Sequence, residues 1–173
     1  MFLPTMAQGW HEITFLHWSC DPQHLKPLIP SGLTIDTFEG DAWISLTPFL
    51  LHGLRPPFLP RALGLDFPEM NLRTYVVGAQ GPGIWFFSLD AGKLLPVMGA
   101  KAAFGLPYFW ARMSVEVTTT KNVYRSSRRN RGPTAEIQVL KGERIEQPSA
   151  LDIFLTARFR LYSIHKRLIT IEV

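Results

Sequence analysis

The sequence predicts an α+β fold that is mainly β: a curled antiparallel sheet or barrel with about three short helices packed at its edges. About nine short apolar or alternating runs follow one another as hairpins. Fourteen prolines and thirteen glycines supply the turns between them. The chain has 173 residues, 46% of them apolar, which is enough for one domain with a substantial core. We therefore expect a single domain over residues 1–173.

The predicted centre of the fold is a β-hairpin. Phe67–Gly78 and Ile84–Asp90 are extended runs on either side of the turn Gln80–Gly83. Apolar runs around a Gly-Pro-Gly turn predict two antiparallel strands. With this turn as the loop, Arg73 lies opposite Asp90, and a cross-strand ion pair would give Arg73 a purely structural role.

One face of the first strand of this hairpin is unusually polar. Because strand side chains alternate, an acid, an amide, a guanidinium and a phenol share that face. These residues are Glu69, Asn71, Arg73 and Tyr75. In an apolar chain such a set indicates the lining of a pocket, and a solvated outer face is the alternative. Glu69 and Arg73 lie roughly 13 Å apart along a strand, so they cannot pair directly.

The elements before the hairpin follow from apolar runs and proline positions. Asp21 at an N-cap and Pro22 at the first helical position predict a short helix. Four prolines stiffen the stretch before the hairpin, which favours a long loop acting as a lid or as a rigid surface clasp. The other predicted elements are a strand at Ile13–Trp18, a hairpin of Leu33–Phe38 with Ala42–Phe49, and the loop Leu50–Phe67.

The elements after the hairpin are predicted by caps and alternation. Pro96 and Gly105 bracket a helix over Gly92–Gly105, and Ser149 with Asp152 forms a capping box. Apolar and polar residues alternate in the following strands. The predicted elements are strands at Ala111–Thr120, Val123–Ser127 and Thr134–Leu140, a helix to about Ala157, and a closing hairpin of Phe159–Ser163 with Leu168–Val173.

Composition restricts the location and the partners of the protein. A single cysteine, Cys20, excludes an internal disulfide. The N-terminus lacks the features of a signal peptide, and no run of about 18 apolar residues exists. These features predict a cytoplasmic protein with no membrane partner. The net charge of +4 is a mild basic bias.

No sequence motif indicates a metal, a cofactor or a nucleic acid. The five histidines have no metal-binding spacing, and no phosphate-binding or dinucleotide motif occurs, so we expect no cofactor. A basic stretch could contact phosphates, but without interleaved aromatic residues a solvated hairpin end is favoured over nucleic-acid binding. Its members are Arg125, Arg128, Arg129 and Arg131.

The segment around Tyr108 is the second candidate site. A helix that ends at Gly105, followed by Pro107, delivers Tyr108 and Phe109 at the start of a strand, where a barrel mouth is expected. Lys101 lies one helical turn earlier. Desolvation could make Lys101 a Schiff-base nucleophile, and the alternative is an ordinary solvent-facing helix residue.

Several motifs resemble the uncharacterised bacterial YqjF-like family over nearly the whole chain. The motifs are WHEITFLHWSCDPQHLKPLIPSGLTIDTFEGDAWISL, FPEMNLRTYVVG, GIWFFSLDA, LPYFWARM and FLTARFRLYS. This family is in turn similar, more weakly, to the acetoacetate decarboxylase superfamily. The resemblance implies that Tyr108 occupies the position of the Schiff-base lysine, and Phe109 that of the lysine beside it. It also implies that Glu69 matches an active-site glutamate, and that His11 lies near the position of a substrate-binding arginine.

This sequence differs from the superfamily at the positions of both lysines, which argues against decarboxylation of acetoacetate through an imine. Tyrosine cannot form a carbonyl imine, Phe109 carries no charge, and Lys101 matches an arginine of the superfamily. Glu69, Tyr108 and Lys101 remain the catalytic candidates, and the substrate-binding candidates are His11, Asn71, Arg73, Tyr75 and Phe109. The expected function is binding of a small carbonyl, carboxylate or apolar ligand, with lyase-like chemistry on an oxo acid or, alternatively, ligand sensing without catalysis.

The resemblance also bears on assembly and on the end of the chain. Superfamily relatives often form oligomers, so we expect at least a homodimer. The family usually runs on past the position of Val173, with a further strand. The present end is then either a truncated form or an edge completed by another subunit.

Overall fold

The computed structural model describes residues 6–94, 105–129, 131–165 and 168–172. The first strands are β1 (Ala7–His11), β2 (Leu16–Cys20), β3 (Thr34–Ile35), β4 (Ala42–Arg55), β5 (Leu65–Gly78) and β6 (Gly81–Ala91). The remaining strands are β7 (Tyr108–Val117), β8 (Lys121–Arg128), β9 (Thr134–Leu140), β10 (Leu161–His165) and β11 (Leu168–Glu172). Helix α1 (Pro22–Leu25) continues into a 3-10 turn, Lys26–Leu28, a second 3-10 turn spans Arg61–Leu63, and helix α2 spans Ala150–Thr156.

The strands form one 11-stranded mixed sheet. Its main path is β1-β4-β5-β6-β7-β8-β9. In addition, β2 pairs with β4, β3 pairs with β5, and β10 pairs with both β6 and β11. β6 pairs in parallel with β7 and with β10, because the long connections after β6 allow crossovers. Within the described part of the chain, β1 and β9 are the two ends of this path and do not pair with each other. The mainly β, α+β fold is confirmed, but the sheet is mixed and, over the described residues, does not close into a barrel.

Strand pairing near the N-terminus differs from the sequence prediction. The expected hairpin of Leu33–Phe38 with Ala42–Phe49 is reduced to one isolated bridge between Phe38 and Asp41. β3 instead pairs with β5, and β4 lies between β2 and β5. Long-range pairing therefore takes precedence over the local turn at Gly40, which has a positive φ of 94°.

The expected long loop over Leu50–Phe67 is wrong. β4 runs to Arg55 and β5 starts at Leu65, so half of this stretch lies in paired strands, with Leu51 opposite Phe67. The prolines at 56, 57 and 60 lie in the short connection. Pro68 lies within β5 itself. A strand tolerates proline where its missing N–H is not needed by the ladder, which the sequence pattern does not reveal.

Local capping signals are confirmed. The Asp21 side chain accepts a hydrogen bond from the amide of Gln23 at 2.8 Å at the start of α1. Ser149 and Asp152 form the predicted capping box of α2. Most of the helix predicted over Gly92–Gly105 lies outside the described residues, and Gly105 itself has a left-handed φ of 64°.

The register of the central hairpin is shifted from the prediction. Met70, not Arg73, lies opposite Asp90, because the turn is tighter than expected and an irregularity falls between Leu72 and Arg73. Asp90 instead accepts a hydrogen bond from Arg128 Nε at 2.6 Å and one from the hydroxyl of Ser126 at 3.1 Å. The proposed Arg73–Asp90 ion pair is therefore wrong.

Two apolar clusters lie on the face of the sheet that carries Glu69 and Tyr75. One contains Phe49, Leu51, Phe67 and Ala91, and the other is centred on Tyr75, Leu89 and Leu155. Tyr108 packs against both clusters. The core therefore holds β5, β6, β7 and α2 together around one face of the sheet.

We expect Asp90 to be energetically coupled to Arg128 and not to Arg73. Both side chains of the pair are largely buried, so removing either alone leaves a poorly solvated charge and costs about 3 kcal/mol. The double variant Asp90→Ala/Arg128→Ala should lose much less than the sum of the single variants. Urea unfolding of the four proteins measures this coupling.

The matched control is a second double-mutant cycle, in which Asp90 is tested with Arg73 instead of with Arg128. Asp90→Ala and Arg73→Ala should add to within about 0.5 kcal/mol, as expected for groups that share no partner. Strong coupling in this second cycle would show that the register of β5 and β6 is wrong.

Candidate functional site

The polar face of β5 is buried. Glu69 is 3% exposed, Asn71 7%, Arg73 8% and Tyr75 is fully covered. A solvated outer face is thus excluded for these four residues. Buried polar groups require partners, so the neighbours of this face determine what it can do.

Glu69 and Tyr108 meet directly. The hydroxyl of Tyr108 donates a hydrogen bond to Glu69 Oε2 at 3.1 Å. In the register, Leu89 of β6 lies between Asn71 and Tyr108, so the phenol reaches Glu69 diagonally across β6. The structure therefore brings together two of the three catalytic candidates of the sequence analysis.

Burial changes the protonation of this pair. Desolvation raises the pKa of Glu69 to about 7, and hydrogen bonds from Asn71 and Tyr108 only partly oppose the shift. Burial, followed by the nearby Glu69 carboxylate, raises the pKa of Tyr108 above its ordinary value. Glu69 can thus exchange a proton near neutral pH, while Tyr108 stays protonated and acts as a donor.

Arg73 and Tyr75 contact the end of helix α2. The Tyr75 hydroxyl donates to the carbonyl of Leu155 at 2.7 Å, and Arg73 Nη2 donates to the same oxygen at 3.5 Å. The Arg73 guanidinium also lies 5.2 Å from the ring centroid of Phe15. Burial lowers the pKa of Arg73. The helix end therefore supplies the partial negative charge beside this buried cation.

Neighbouring strands add polar groups that sequence analysis missed. His17, Ser45 and Arg73 lie side by side on β2, β4 and β5, and Ser45 Oγ is 3.2 Å from Thr47 Oγ1. Burial, then the charge of Arg73, lowers the pKa of His17 to about 4. The alternation of Ser45 and Thr47 within an apolar strand was a usable signal. The sequence held no such signal for His17, because the residues beside it in the structure are distant along the chain.

Two atoms of the polar face lack a protein partner. Asn71 Oδ1 and Arg73 Nε are buried and make no hydrogen bond within the part of the chain that the structure describes. Buried polar atoms without partners are costly, and at a binding site they are available to a ligand or to water.

Other predicted site residues lie elsewhere. His11 is paired with Leu50, which in turn is paired with Pro68, so the His11 side chain is on the opposite face from Glu69. There the ring centroids of His11 and His52 are 5.2 Å apart. Phe109 follows Tyr108 on β7 and faces Arg128, whose guanidinium lies 4.0 Å from its ring centroid. Lys101 lies outside the described residues.

No group of acidic, histidine or cysteine side chains with metal-binding geometry occurs among the described residues. None of the described helices has the length and apolar character required to cross a membrane. Burial and the nearby Asp21 and Asp41 raise the pKa of Cys20, so the start of α1 does not activate this thiol.

Solved structures of enzymes share this fold. Acetoacetate decarboxylase from Legionella pneumophila superposes with a TM-score of 0.65 over 95% of this chain at 13% identity. The enduracididine biosynthesis enzyme MppR, complexed with pyruvate, gives 0.69 over 94% at 15% identity. An acetoacetate decarboxylase-like enzyme from Sphingomonas wittichii RW1 gives 0.67 over 97% at 14% identity.

The chain is shorter than these proteins. It spans 62% of the decarboxylase, 65% of MppR and 71% of the Sphingomonas enzyme. At such low identity the structural similarity shows a shared fold only, and the activities named for those enzymes are not assigned to this chain.

Sequence relationships are closer. Residues 7–173 match the model of the DUF2071 family, described as an uncharacterized conserved protein. The uncharacterized protein YqjF of Bacillus subtilis (strain 168) is 42% identical over 165 residues, which cover 93% of this chain and 68% of YqjF. The chain therefore belongs to the DUF2071 family together with YqjF, and it has the fold of the acetoacetate decarboxylase-like enzymes.

Proposed function

We propose that the chain binds a small oxo acid at the Glu69–Tyr108 pair and moves a proton at the carbon next to the carbonyl group. The observation that carries the proposal is the buried hydrogen bond from Tyr108 to Glu69, a carboxyl whose pKa burial raises to about 7. A base with this pKa is half-ionised near neutral pH, where proton transfer is most effective.

Each residue has a distinct role in this proposal. The Glu69 carboxylate accepts the proton from the carbon. The single O–H of Tyr108 turns from Glu69 to the substrate and donates a hydrogen bond to the oxygen that gains negative charge. Arg73 holds the carboxylate of the substrate, with Asn71 beside it. The unpartnered Arg73 Nε supports the role of Arg73, since a ligand carboxylate would supply the acceptor that the described residues do not. Asn71 Oδ1 is an acceptor and would need a donor, such as a water molecule.

The proposed chemistry needs no imine. A phenol cannot form one, and burial keeps Tyr108 protonated by raising its pKa. MppR shares the fold and is complexed with pyruvate, which makes pyruvate a reasonable first probe. The fold likeness alone does not extend the activity of MppR to this chain.

Ligand sensing without catalysis is a second candidate, favoured by a separate cavity. This cavity of about 270 Å³ has mainly apolar walls. Its lining includes Leu28, Trp85, Phe86, Phe87, Leu106, Pro107 and Tyr162. An apolar ligand would suit these walls. Quenching of tryptophan fluorescence by 1-anilinonaphthalene-8-sulfonate, lost in Trp85→Ala, together with no proton exchange from any oxo acid, would favour this candidate.

We expect the protein to exchange the methyl protons of pyruvate for deuterium in D2O. Glu69→Gln removes the base and should lower the exchange rate at least about 100-fold. Tyr108→Phe removes one donor to the developing oxyanion and should lower the rate about 100-fold. Loss of the pyruvate methyl signal in proton NMR spectra measures the rate.

The matched control is Asp66→Asn, which removes another carboxylate of β5. Asp66 pairs with His52 at 2.8 Å and is about half-exposed. Exchange should be unchanged in this variant. Treatment with borohydride in the presence of pyruvate should leave the protein mass unaltered. A reduced adduct on a lysine would contradict the absence of an imine.

We also expect Glu69→Gln to change how stability depends on pH. The folded-state pKa of Glu69 is raised from 4.5 to about 7, so its contribution favours folding at acidic pH and is lost as pH rises through 7. Glutamine does not titrate. The unfolding free energy of the variant, relative to the wild type, should therefore increase by on the order of 3 kcal/mol between pH 4 and pH 8.

Urea unfolding at pH 4, 6 and 8 measures this difference. The lowered pKa of His17 gives the opposite trend, with stability lost as pH falls from 6.5 toward 4. Because His17 is present in both proteins, the comparison isolates Glu69. A difference that stays constant across this range would show that Glu69 titrates normally.

A further inference from the structure

A basic groove lies where β7 begins and β8 ends. It is a cavity of about 420 Å³ lined by Trp110, Arg112, Ser127, Arg128 and Arg129. We propose that this arginine groove binds the second acidic group, a carboxylate or phosphate, of an extended ligand whose carbonyl end lies at Glu69 and Tyr108. The proposal rests on the proposed function and narrows its substrate class to oxo acids with a second anionic group.

Two cations of the groove are not neutralised. Arg112 and Arg129 are exposed, and no acidic group among the described residues forms an ion pair with either. By contrast, Arg128 is paired with Asp90 on the other face of the sheet, and Arg125 is paired with two glutamates. The charge available to a ligand therefore comes from Arg112 and Arg129.

The groove is partly organised before any ligand binds. The Arg129 guanidinium lies 3.7 Å from the ring centroid of Trp110, and the Arg129 amide donates to the Trp110 carbonyl at 3.2 Å. Arg112 lies opposite Ser127, whose hydroxyl is a further donor. A stacked guanidinium loses little freedom when it binds, and its planar fork matches a carboxylate or phosphate.

The groove adjoins the Glu69–Tyr108 pair. Tyr108, Trp110 and Arg112 alternate on one face of β7. Ala91 of β6 is paired with Glu69 on one side and with Trp110 on the other, so the row across the sheet runs from the acid to the groove. Tyr108 and Arg112 are roughly 13 Å apart along the strand, a span that an extended ligand and a long arginine side chain can bridge together.

A small anion fits the groove better than a nucleic acid. Of the three arginines that line the groove, two have no acidic partner among the described residues, and the guanidinium of one of them, Arg129, covers a face of the Trp110 ring. Nucleic-acid surfaces combine a longer track of cations with exposed aromatic faces. The neutralised Arg125 and Arg128 shorten that track here.

Titrations with 2-oxoglutarate and pyruvate test the proposal. Both have the same oxo acid end, but only 2-oxoglutarate carries a second carboxylate. Isothermal titration calorimetry should show at least about tenfold tighter binding of 2-oxoglutarate, the effect of an added charge-assisted contact. The double variant Arg112→Gln/Arg129→Gln should lose this preference and retain pyruvate binding.

The matched control is Arg125→Gln, which removes a positive charge from the face of β8 that carries Ser127, outside the groove. It should keep the preference for 2-oxoglutarate. Inorganic phosphate serves as an independent probe. It should bind the wild type and Arg125→Gln, and binding should be lost in the double variant.

The outcomes separate this inference from the proposed function. Equal binding of both oxo acids, with proton exchange lost in Glu69→Gln, would contradict the role of the groove and leave the proposed function standing. Phosphate binding that depends on the groove, with no oxo acid binding, would support an anion site and contradict the proposed function. Binding of single-stranded DNA that is tighter than that of either acid, and lost in the double variant, would overturn the small-ligand assignment.

Discussion

The carbonyl of Leu155 accepts hydrogen bonds from both Tyr75 and Arg73, and the arrangement of the polar face depends on this contact. The last carbonyls of a helix have no partner within the helix and carry partial negative charge. Placing that end over β5 satisfies a buried phenol and a buried guanidinium together. The capping box at Ser149 fixes where α2 begins, and hence where its last turn ends. A local sequence signal thereby positions a long-range contact.

Glu69 has neutral neighbours, because Arg73 lies roughly 13 Å farther along β5 and contacts the end of α2. Its hydrogen bonds come from Tyr108 and Asn71, which favour the carboxylate less than a cation would. Asp90, on the opposite face, shows the alternative, since Arg128 contacts it directly at 2.6 Å. Two buried carboxylates on adjacent strands thus have different partners. The one without a cation is suited to proton transfer, and the one with a cation is suited to holding strands together.

Sequence alternation and caps revealed the composition of the site but not its surroundings. The shared face of Glu69, Asn71, Arg73 and Tyr75 followed from the two-residue period of a strand. The partners of that face come from β2, β4, β7 and α2, which are distant in sequence, so no local rule could assign them. The prediction of an Arg73–Asp90 pair was wrong for a related reason, because a tighter turn and one strand irregularity change which residues lie opposite each other.

The register of β7 decides which chemistry each face contains. Tyr108 and Phe109 are adjacent, yet one contacts Glu69 and the other contacts Arg128. A slip of one residue would exchange them and place a phenyl ring beside the buried acid. The register is held where β7 starts: the amide of Leu89 donates to the Pro107 carbonyl at 3.0 Å, and Gly105 takes a left-handed conformation just before. Since Trp110 and Arg112 follow Tyr108 at the strand period, the same few residues that place the phenol beside Glu69 also place the arginine groove on its side of the sheet.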